Sequence, residues 1–311
     1  PTKPSMFNEI GLENKIVHCL EDIRDLPKMI EIVSKERPDF LFHLAAQPIV
    51  STSYENPIET ISSNVMGTTN ILEALRFSNH SCVAIIITSD KAYENIEQIW
   101  GYKEDDKMGG NDIYSASKGA AELIIKSYYQ SFFKNNDSNV KLAIGRAGNV
   151  IGGGDWAKDR IVVDCMEAWS ESNRVEIRSP EATRPWQHVL EPLSGYLVLA
   201  QKLYDNCDKY AEGWNFGPDE KDVQPVNWVL DKMISNWSNS SWSTDNNINP
   251  YEAGYLKLDI SKAREKLGWK PTWGLDSALG RIIDWHKAWK NKEDMQLLCL
   301  KEALRKEKAL F

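Results

Sequence analysis

Apolar residues recur along this chain in two alternating rhythms. Short apolar runs, Lys15 to Leu20, Asp39 to Leu44 after Pro38, the β-branched Val83 to Ile87, and Val140 to Arg146, predict strands. Stretches with apolar positions three and four apart predict helices between them: Leu26 to Lys35, Pro57 to Phe77 and Tyr114 to Phe133. Pro57 suits a first helical turn, where a missing N–H costs nothing. Strand and helix in alternation predict parallel strands joined by crossover helices. The polar stretch Asn135 to Asn139 predicts a surface turn.

Past Ile151 the rhythm loosens. Gly152-Gly153-Gly154 predicts a flexible opening. Shorter helices follow over Ile161 to Ser172, Val189 to Tyr204, Val226 to Asn236, Ser261 to Leu267 and Leu275 to Trp289, with short strands near Val175 to Ile177 and Gly213 to Phe216. The expected organisation is a first α/β unit over residues 1–150 and a smaller α/β region over 151–311. The two are partly interleaved, because Trp214-Asn215-Phe216 has the pattern of a strand returning to the first sheet.

Composition narrows the partners. A net charge of −8 with no basic block argues against nucleic acid. No apolar run approaches the ~20 residues that span a bilayer, and no charged-then-apolar leader opens the chain, so neither membrane nor export signal is expected. Five scattered Cys without a CxxC pair fit reduced thiols in a cytoplasm. The His residues make no metal-ligand spacing, so no metal is expected.

Candidate chemistry centres on Tyr114-Ser115-Ala116-Ser117-Lys118. Residues four apart share one helix face, so an ammonium lies near a phenol and is expected to lower its pKa toward neutrality. Of the 11 Tyr, only Tyr114 has Lys four residues on. Taken alone the pair fixes two residue types and equally describes a surface helix. It gains weight because it follows Ile85-Ile86-Ile87-Thr88-Ser89-Asp90-Lys91, an apolar strand ending in a polar cluster. In open α/β sheets the strand C-termini carry the site.

Longer strings carry a resemblance. Asp22-Ile23-Arg24-Asp25, His43-Leu44-Ala45-Ala46-Gln47 and the stretch from Asn64 to Ala74, together with Tyr114 and Lys118, resemble the extended short-chain dehydrogenase/reductase superfamily. Thr88-Ser89-Asp90-Lys91, the string Arg146 to Trp156 and Arg184-Pro185-Trp186-Gln187-His188-Val189 narrow the resemblance to its nucleotide-sugar 4,6-dehydratase branch, from Asp22 to Trp289. The resemblance implies a doubly wound, mostly parallel Rossmann-type sheet with a smaller C-terminal substrate domain. It implies NAD as cofactor and a nucleotide sugar, CDP-glucose, as substrate. It also implies a homodimer or homotetramer paired through helices 57–77 and 114–133, and a place in deoxysugar synthesis for surface polysaccharides. One part is missing: no Gly-rich phosphate loop precedes Lys15. Either a first β-α-β unit of ~40–50 residues lies outside this chain, or the chain binds no dinucleotide. The other strings favour the first reading.

By the same resemblance, Asp22 and Ile23 bracket the adenine, and Leu44, Ala45, Ala46 and Gln47 run under the cofactor. Tyr114 is the base, and Lys118 keeps it acidic while holding the nicotinamide ribose. Ser89 positions the sugar 4-oxygen and Asp90 is the acid. Lys91 is the C5 base, where dTDP-sugar relatives carry Glu. The alternative for Asp90-Lys91 is a surface ion pair. Arg forks suit phosphate, so Asn149, Arg160 and Arg184 are expected at the nucleotide end, with Arg178 and Lys158 as weaker candidates. Trp156 and Trp186 stack on substrate or pack in the core. His188 is expected to pack, and Asn64 to order backbone or pack a helix. Another nucleotide-sugar 4,6-dehydratase, a 4-epimerase, and a non-catalytic NAD or sugar-nucleotide sensor on the same fold are the competing readings.

Overall fold

The computed structural model describes residues 2–134, 138–245, 247 and 253–310, so most of the turn expected at Asn135 to Asn139 lies outside the described residues. Strands β1 (Phe40–His43), β2 (Cys82–Ile87), β3 (Val140–Ala147) and β4 (Gly213–Phe216) form one sheet in that order, all parallel. The register places Phe40 opposite Val83, Cys82 opposite Val140 and Ile144 opposite Gly213. β2 is covered on both faces, which is why it reads as an unbroken apolar run rather than an alternation.

Helices cover both faces. On one lie α1 (Leu26–Glu36), α2 (Pro57–Ile61, a π-helical turn Ser62–Met66, then Gly67–Phe77) and α3 (Ile113–Tyr128, prolonged by the π-helical turn Tyr129–Phe133). Their Leu72, Leu75 and Ile125 pack with Ile86 and Leu142. On the other face α5 (Leu190–Asp205) sets Leu199 and Leu203 against Val83, Ile85 and Phe216. Between β3 and β4 the chain leaves the sheet and, with segments that follow β4, builds a second core, in which Val162 and Met166 of α4 (Ile161–Ser170) meet Val229, Leu279 and Ile283. The expected return of 213–216 to the first sheet is what the structure shows.

Two expectations need correction, and one helix was unforeseen. Lys15 to Leu20 forms no strand, and Val17 and Leu20 stand 75% and 82% exposed. A strand needs a ladder partner for its N–H and C=O groups, and no described strand lies beside this segment. The triple glycine is packed rather than loose. A Cβ at Gly152 would lie 2.8 Å from Val189, and one at Gly153 only 2.3 Å from Trp285, so bare backbone is what lets the chain pass. A helix over Met295–Leu310 was not expected, because its pattern is dominated by charge, with Leu297, Leu300 and Leu304 exposed.

Beneath the sheet's C-terminal end lies a buried ion pair. Arg146 of β3 and Glu122 of α3 are both fully buried, joined through Nε to Oε1 at 2.8 Å and Nη2 to Oε2 at 2.9 Å. Thr88 Oγ1 donates to the same carboxylate at 2.5 Å. Arg146 Nη1 donates to Tyr93 Oη at 2.6 Å and to the Glu104 carbonyl at 3.1 Å. Tyr93 in turn donates to Asn215 Oδ1 of β4 at 2.7 Å. Removing one partner of such a pair leaves an uncompensated buried charge. Glu122→Ala should therefore lower unfolding free energy by about 3–5 kcal/mol. Urea denaturation measures it, and a loss under about 1 kcal/mol, the scale of an exposed pair, would contradict the account.

Candidate active site

The site assembles where β2 ends and α3 begins. β2 delivers Ser89, whose hydroxyl caps the following helical turn Asp90–Ala92 by accepting from Lys91 N at 3.2 Å. The cap turns the chain sharply and presents Ser89, Asp90 and Lys91 together. Asp112 caps α3, accepting from Ser115 N at 2.9 Å and from Ser115 Oγ at 2.6 Å. That start sets the helix phase, so Tyr114, Lys118 and Glu122 fall on one buried face.

Ser89, Asp90, Lys91 and Tyr114 line one cavity of about 350 Å³, with Arg160, Asp164 and Arg178 also in its walls; Lys118 lies one turn behind Tyr114 and is not in the lining. Ser89 Oγ donates to Asp90 Oδ1 at 3.1 Å and is hydrogen-bonded to the Tyr114 phenol. Asp90 Oδ2 is buried with no hydrogen-bond partner. It abuts Gly148, where a Cβ would lie 2.9 Å from it and 2.5 Å from Pro185, so glycine is what lets β3's continuation pass the carboxyl.

Electrostatics here are governed by dryness. Burial raises the Asp90 carboxyl to about 6, against the pull of Lys91, Ser89 and Arg184. Burial lowers the Lys118 ammonium to about 8, with Glu122 opposing. Burial and the Lys118 charge lower His43 to about 4, so its imidazole is neutral, 3.1 Å from Thr68 Oγ1. The expected fall in the Tyr114 pKa does not occur. Burial lifts the phenol to about 12; Ser89 and Arg160 pull down and Asp90 pushes up, while Lys118 is not among its principal influences. Desolvation of both partners outweighs their proximity along the helix.

Not every residue expected at the site faces the cavity. Asn149, Arg160 and Arg184 line it, as do Arg178 and Trp186, whose Nε1 donates to the Gln224 carbonyl at 2.8 Å. Arg160 pairs with Asp155 at 3.4 Å and keeps a buried Nε without a partner. Lys158 is exposed and outside the cavity; Trp156 packs edge-on against Trp285 and Trp289. His188 is buried against Trp273, its Nδ1 accepting from Leu190 N at 3.3 Å. Asn64 is a scaffold: it accepts from Gln47 N at 2.8 Å and donates to the Gln47 carbonyl at 3.1 Å and to Ser117 Oγ at 2.9 Å. Leu44 and Ala45 lie exposed at the end of β1, with Ala46 and Gln47 half-buried after them. Asp22 is gripped by Arg24 through both carboxylate oxygens, and the half-buried Ile23 rests on Gly67.

Sequence reasoning missed the short helix Val50–Glu55, from which Val50, Ser51 and Tyr54 line the cavity. Ser51 Oγ donates across the cleft to Asp159 Oδ2 at 2.6 Å. The only signal was position, directly after the His43 to Gln47 loop. A second cavity of about 620 Å³ lies on the α3 side near Lys126, Tyr129 and Lys262, and none of Ser89, Asp90 or Tyr114 lines it. Among the described residues no group of three or more His, Cys, Asp or Glu side chains converges as a metal site.

Comparison with known proteins adds an independent line. The sequence family described as GDP-mannose 4,6 dehydratase matches residues 6–282. A CDP-glucose 4,6-dehydratase from Salmonella typhimurium is 50% identical over 310 residues, covering 98% of this chain and 86% of that protein. The fold is similar to that of UDP-glucuronic acid 4-epimerase from Bacillus cereus in complex with UDP-glucuronic acid and NAD, with a TM-score of 0.76, 21% identity and coverage of 91% and 85% of the two chains. It is also similar to that of dTDP-glucose 4,6-dehydratase from Bacillus anthracis in complex with NAD, with a TM-score of 0.71, 17% identity and coverage of 88% and 80%.

The raised Asp90 pKa makes a stability prediction. A carboxyl whose folded pKa lies above its ordinary 3.8 binds more protons folded than unfolded. It therefore destabilises the fold increasingly as pH rises from about 4 to about 6, and the penalty is full above that window. Asp90→Asn removes the ionisation. The variant should exceed the parent by on the order of 2–3 kcal/mol at pH 7.5, at about 1.4 kcal/mol per unit, and the gap should close by about pH 3. Urea melts at both pH values check this; a gap independent of pH would show that Asp90 is not desolvated.

Proposed function

The chain belongs to the GDP-mannose 4,6 dehydratase family, and from that premise we propose that it converts CDP-glucose to CDP-4-keto-6-deoxyglucose with NAD as a recycled cofactor. The observation that carries this reading is the buried Asp90 carboxyl, one oxygen unpartnered, hydrogen-bonded to Ser89 beside Tyr114. A 4-epimerase handles a proton at the 4-oxygen alone. An elimination needs a second acid, and Asp90 is one.

The residues present fit the cofactor. The exposed Leu44 and Ala45 at the end of β1 lie where open parallel sheets bind dinucleotides. Lys118, desolvated against a neutral His43, is placed to hold a ribose hydroxyl. Ile23 and Asp22 suit the adenine, and Ala46 and Gln47 continue the loop beneath. Held by these residues, NAD would supply a hydride acceptor for C4 and, once reduced, a hydride donor for C6.

Tyr114 removes the proton from the sugar 4-hydroxyl. A phenol lifted to about 12 by burial needs positive charge beside it to ionise near neutrality, so its basicity arises only in the loaded site. Ser89 holds the 4-oxygen against Tyr114. The 4-ketone acidifies C5–H, Lys91 takes that proton, and Asp90 protonates the departing 6-hydroxyl. A carboxyl near 6 retains enough proton at neutral pH to do so. Arg160 and Arg184, with Asn149, anchor the diphosphate. In this scheme residues 1–150 carry the cofactor side and 151–311 the substrate side.

Incubation with CDP-glucose and NAD+, then alkali, should develop the absorbance of a 4-keto product; none with any nucleotide-glucose would sink the reading. Lys91→Ala should separate the steps. Oxidation at C4 survives while elimination stalls, leaving an NADH absorbance in a single-turnover mixture. Unimpaired dehydration, or loss of the NADH signal itself, would remove Lys91 from the C5 step.

We further infer pairing of two copies through α2 and α3. Ile58, Met66 and Leu123 are exposed by 77%, 51% and 58% on these helices, with Phe132 also exposed. Light scattering should find at least a dimer, and Leu123→Glu should shift it toward monomer; a monomeric parent would dismiss the inference.

A further inference from the structure

One carboxyl in the cavity has no part in the chemistry above. Asp164 sits in the first turn of α4 and lines the same cavity as Tyr114 and Asp90. It follows Arg160 by four residues, and its N–H donates to the Arg160 carbonyl at 2.9 Å. Arg160 is the extended residue just before the helix, and both it and Asp164 line the cavity. The strand Val175–Ile177 and its continuation bring Ile177, Arg178 and Ser179 to the same wall. Glu176 also lies there, but its side chain is exposed.

Asp164 is oddly placed for a site built to take a diphosphate. Burial, with the charges of Asp159 and Glu167, raises its carboxyl to about 6, and Arg178 and a hydrogen bond from the Asp159 backbone N–H only partly offset them. A further anion approaching from the substrate side is repelled. A carboxylate is tolerated there only if the part of the ligand it meets is a hydrogen-bond donor. Electrostatic proximity says which part that is: Arg184 acts on Asp90 and Arg160 on Tyr114, whereas, burial apart, the principal influences on Asp164 are Asp159, Glu167 and Arg178 and not Asp90 or Tyr114. In the proposed scheme Ser89 and Tyr114 take the sugar and Arg184 and Arg160 the diphosphate, which leaves Asp164 for the part beyond it. A ribose separates the diphosphate from the base.

We propose that Asp164 selects the nucleobase, accepting a hydrogen bond from the exocyclic amino group of cytosine and thereby favouring cytidine over uridine and thymidine diphosphate sugars. At the same ring position uracil and thymine carry a carbonyl oxygen. Against it a carboxylate finds no donor and loses its hydration, a cost that falls on the wrong base alone. The assignment deepens the CDP-glucose reading and rests on it for the placing of the diphosphate.

Calorimetric titration of the full chain with CMP and with UMP reads the base without requiring turnover. The parent should bind CMP ~10–100-fold more tightly, the span of a well-placed base-edge contact. In Asp164→Asn the amide can turn either its carbonyl or its NH2 to the ring, so the ratio should collapse to within ~3-fold. The kcat/KM ratio for CDP-glucose over UDP-glucose should fall in parallel. A change that merely loosens the fold weakens both nucleotides together and leaves the ratio untouched. Should Asp164→Asn fail to fold in a thermal melt, Asp164→Ser carries the same comparison. A parent ratio near one, or an unchanged ratio in a folded variant, overturns the assignment. If the parent turns over no CDP-glucose yet discriminates CMP from UMP through Asp164, the reaction is wrong and the base reader stands.

Discussion

The buried pair of Arg146 and Glu122 is the constraint on which the site depends. Glu122 is one turn beyond Lys118 and two beyond Tyr114 on α3, while Arg146 lies at the end of β3. Fixing Glu122 on Arg146 and Thr88 therefore fixes the rotation of α3 about its axis relative to the strand ends. Through Tyr93 and Asn215 the same network reaches β4. A well-packed apolar pair would give equal or greater stability. An apolar pair would not specify rotation, because apolar contacts lack direction. The ion pair gains orientation, and the orientation is that of the phenol and the ammonium.

Desolvation is the second theme. Asp90, Tyr114, Lys118 and His43 are all moved toward their neutral forms by burial. At neutral pH these values leave the Tyr114 phenol and the His43 imidazole neutral, while Asp90 is mostly ionised and Lys118 mostly protonated. The phenol ionises only when a ligand brings positive charge beside it. That suits a cofactor that is recycled rather than released, since reactivity and occupancy arise together.

Much of this was legible in the chain. The strands β2 and β3 were readable because they are buried on both faces, and the helices because their apolar stripes hold to one period. Helix spacing singled out Tyr114 with Lys118, and the end of an apolar strand singled out Ser89 to Lys91; of these the structure brings Ser89, Asp90, Lys91 and Tyr114 to one cavity. Misreadings came where the deciding partner is distant in sequence. Lys15 to Leu20 has strand composition but no described neighbour. The glycines at 152 and 153 look like freedom and are close approaches to Val189 and Trp285. The Tyr114 pKa was misjudged because spacing reports proximity and says nothing of water. Asp164 passed unnoticed, since one acid in an amphipathic helix looks like ordinary surface.

The return of β4 beside β3 has a topological result. The chain between them is an excursion anchored at both ends in adjacent strands of one sheet, so it cannot swing as a free lobe without shearing the β3–β4 register. Every group to which we assign a transferred proton precedes this excursion, whereas the arginines and Asp164 lie within it. Substitutions that retune recognition can therefore accumulate in the excursion while the strand ends and the start of α3 stay as they are. A fold wired this way permits change of clientele with the reaction conserved, and the sheet itself enforces the separation.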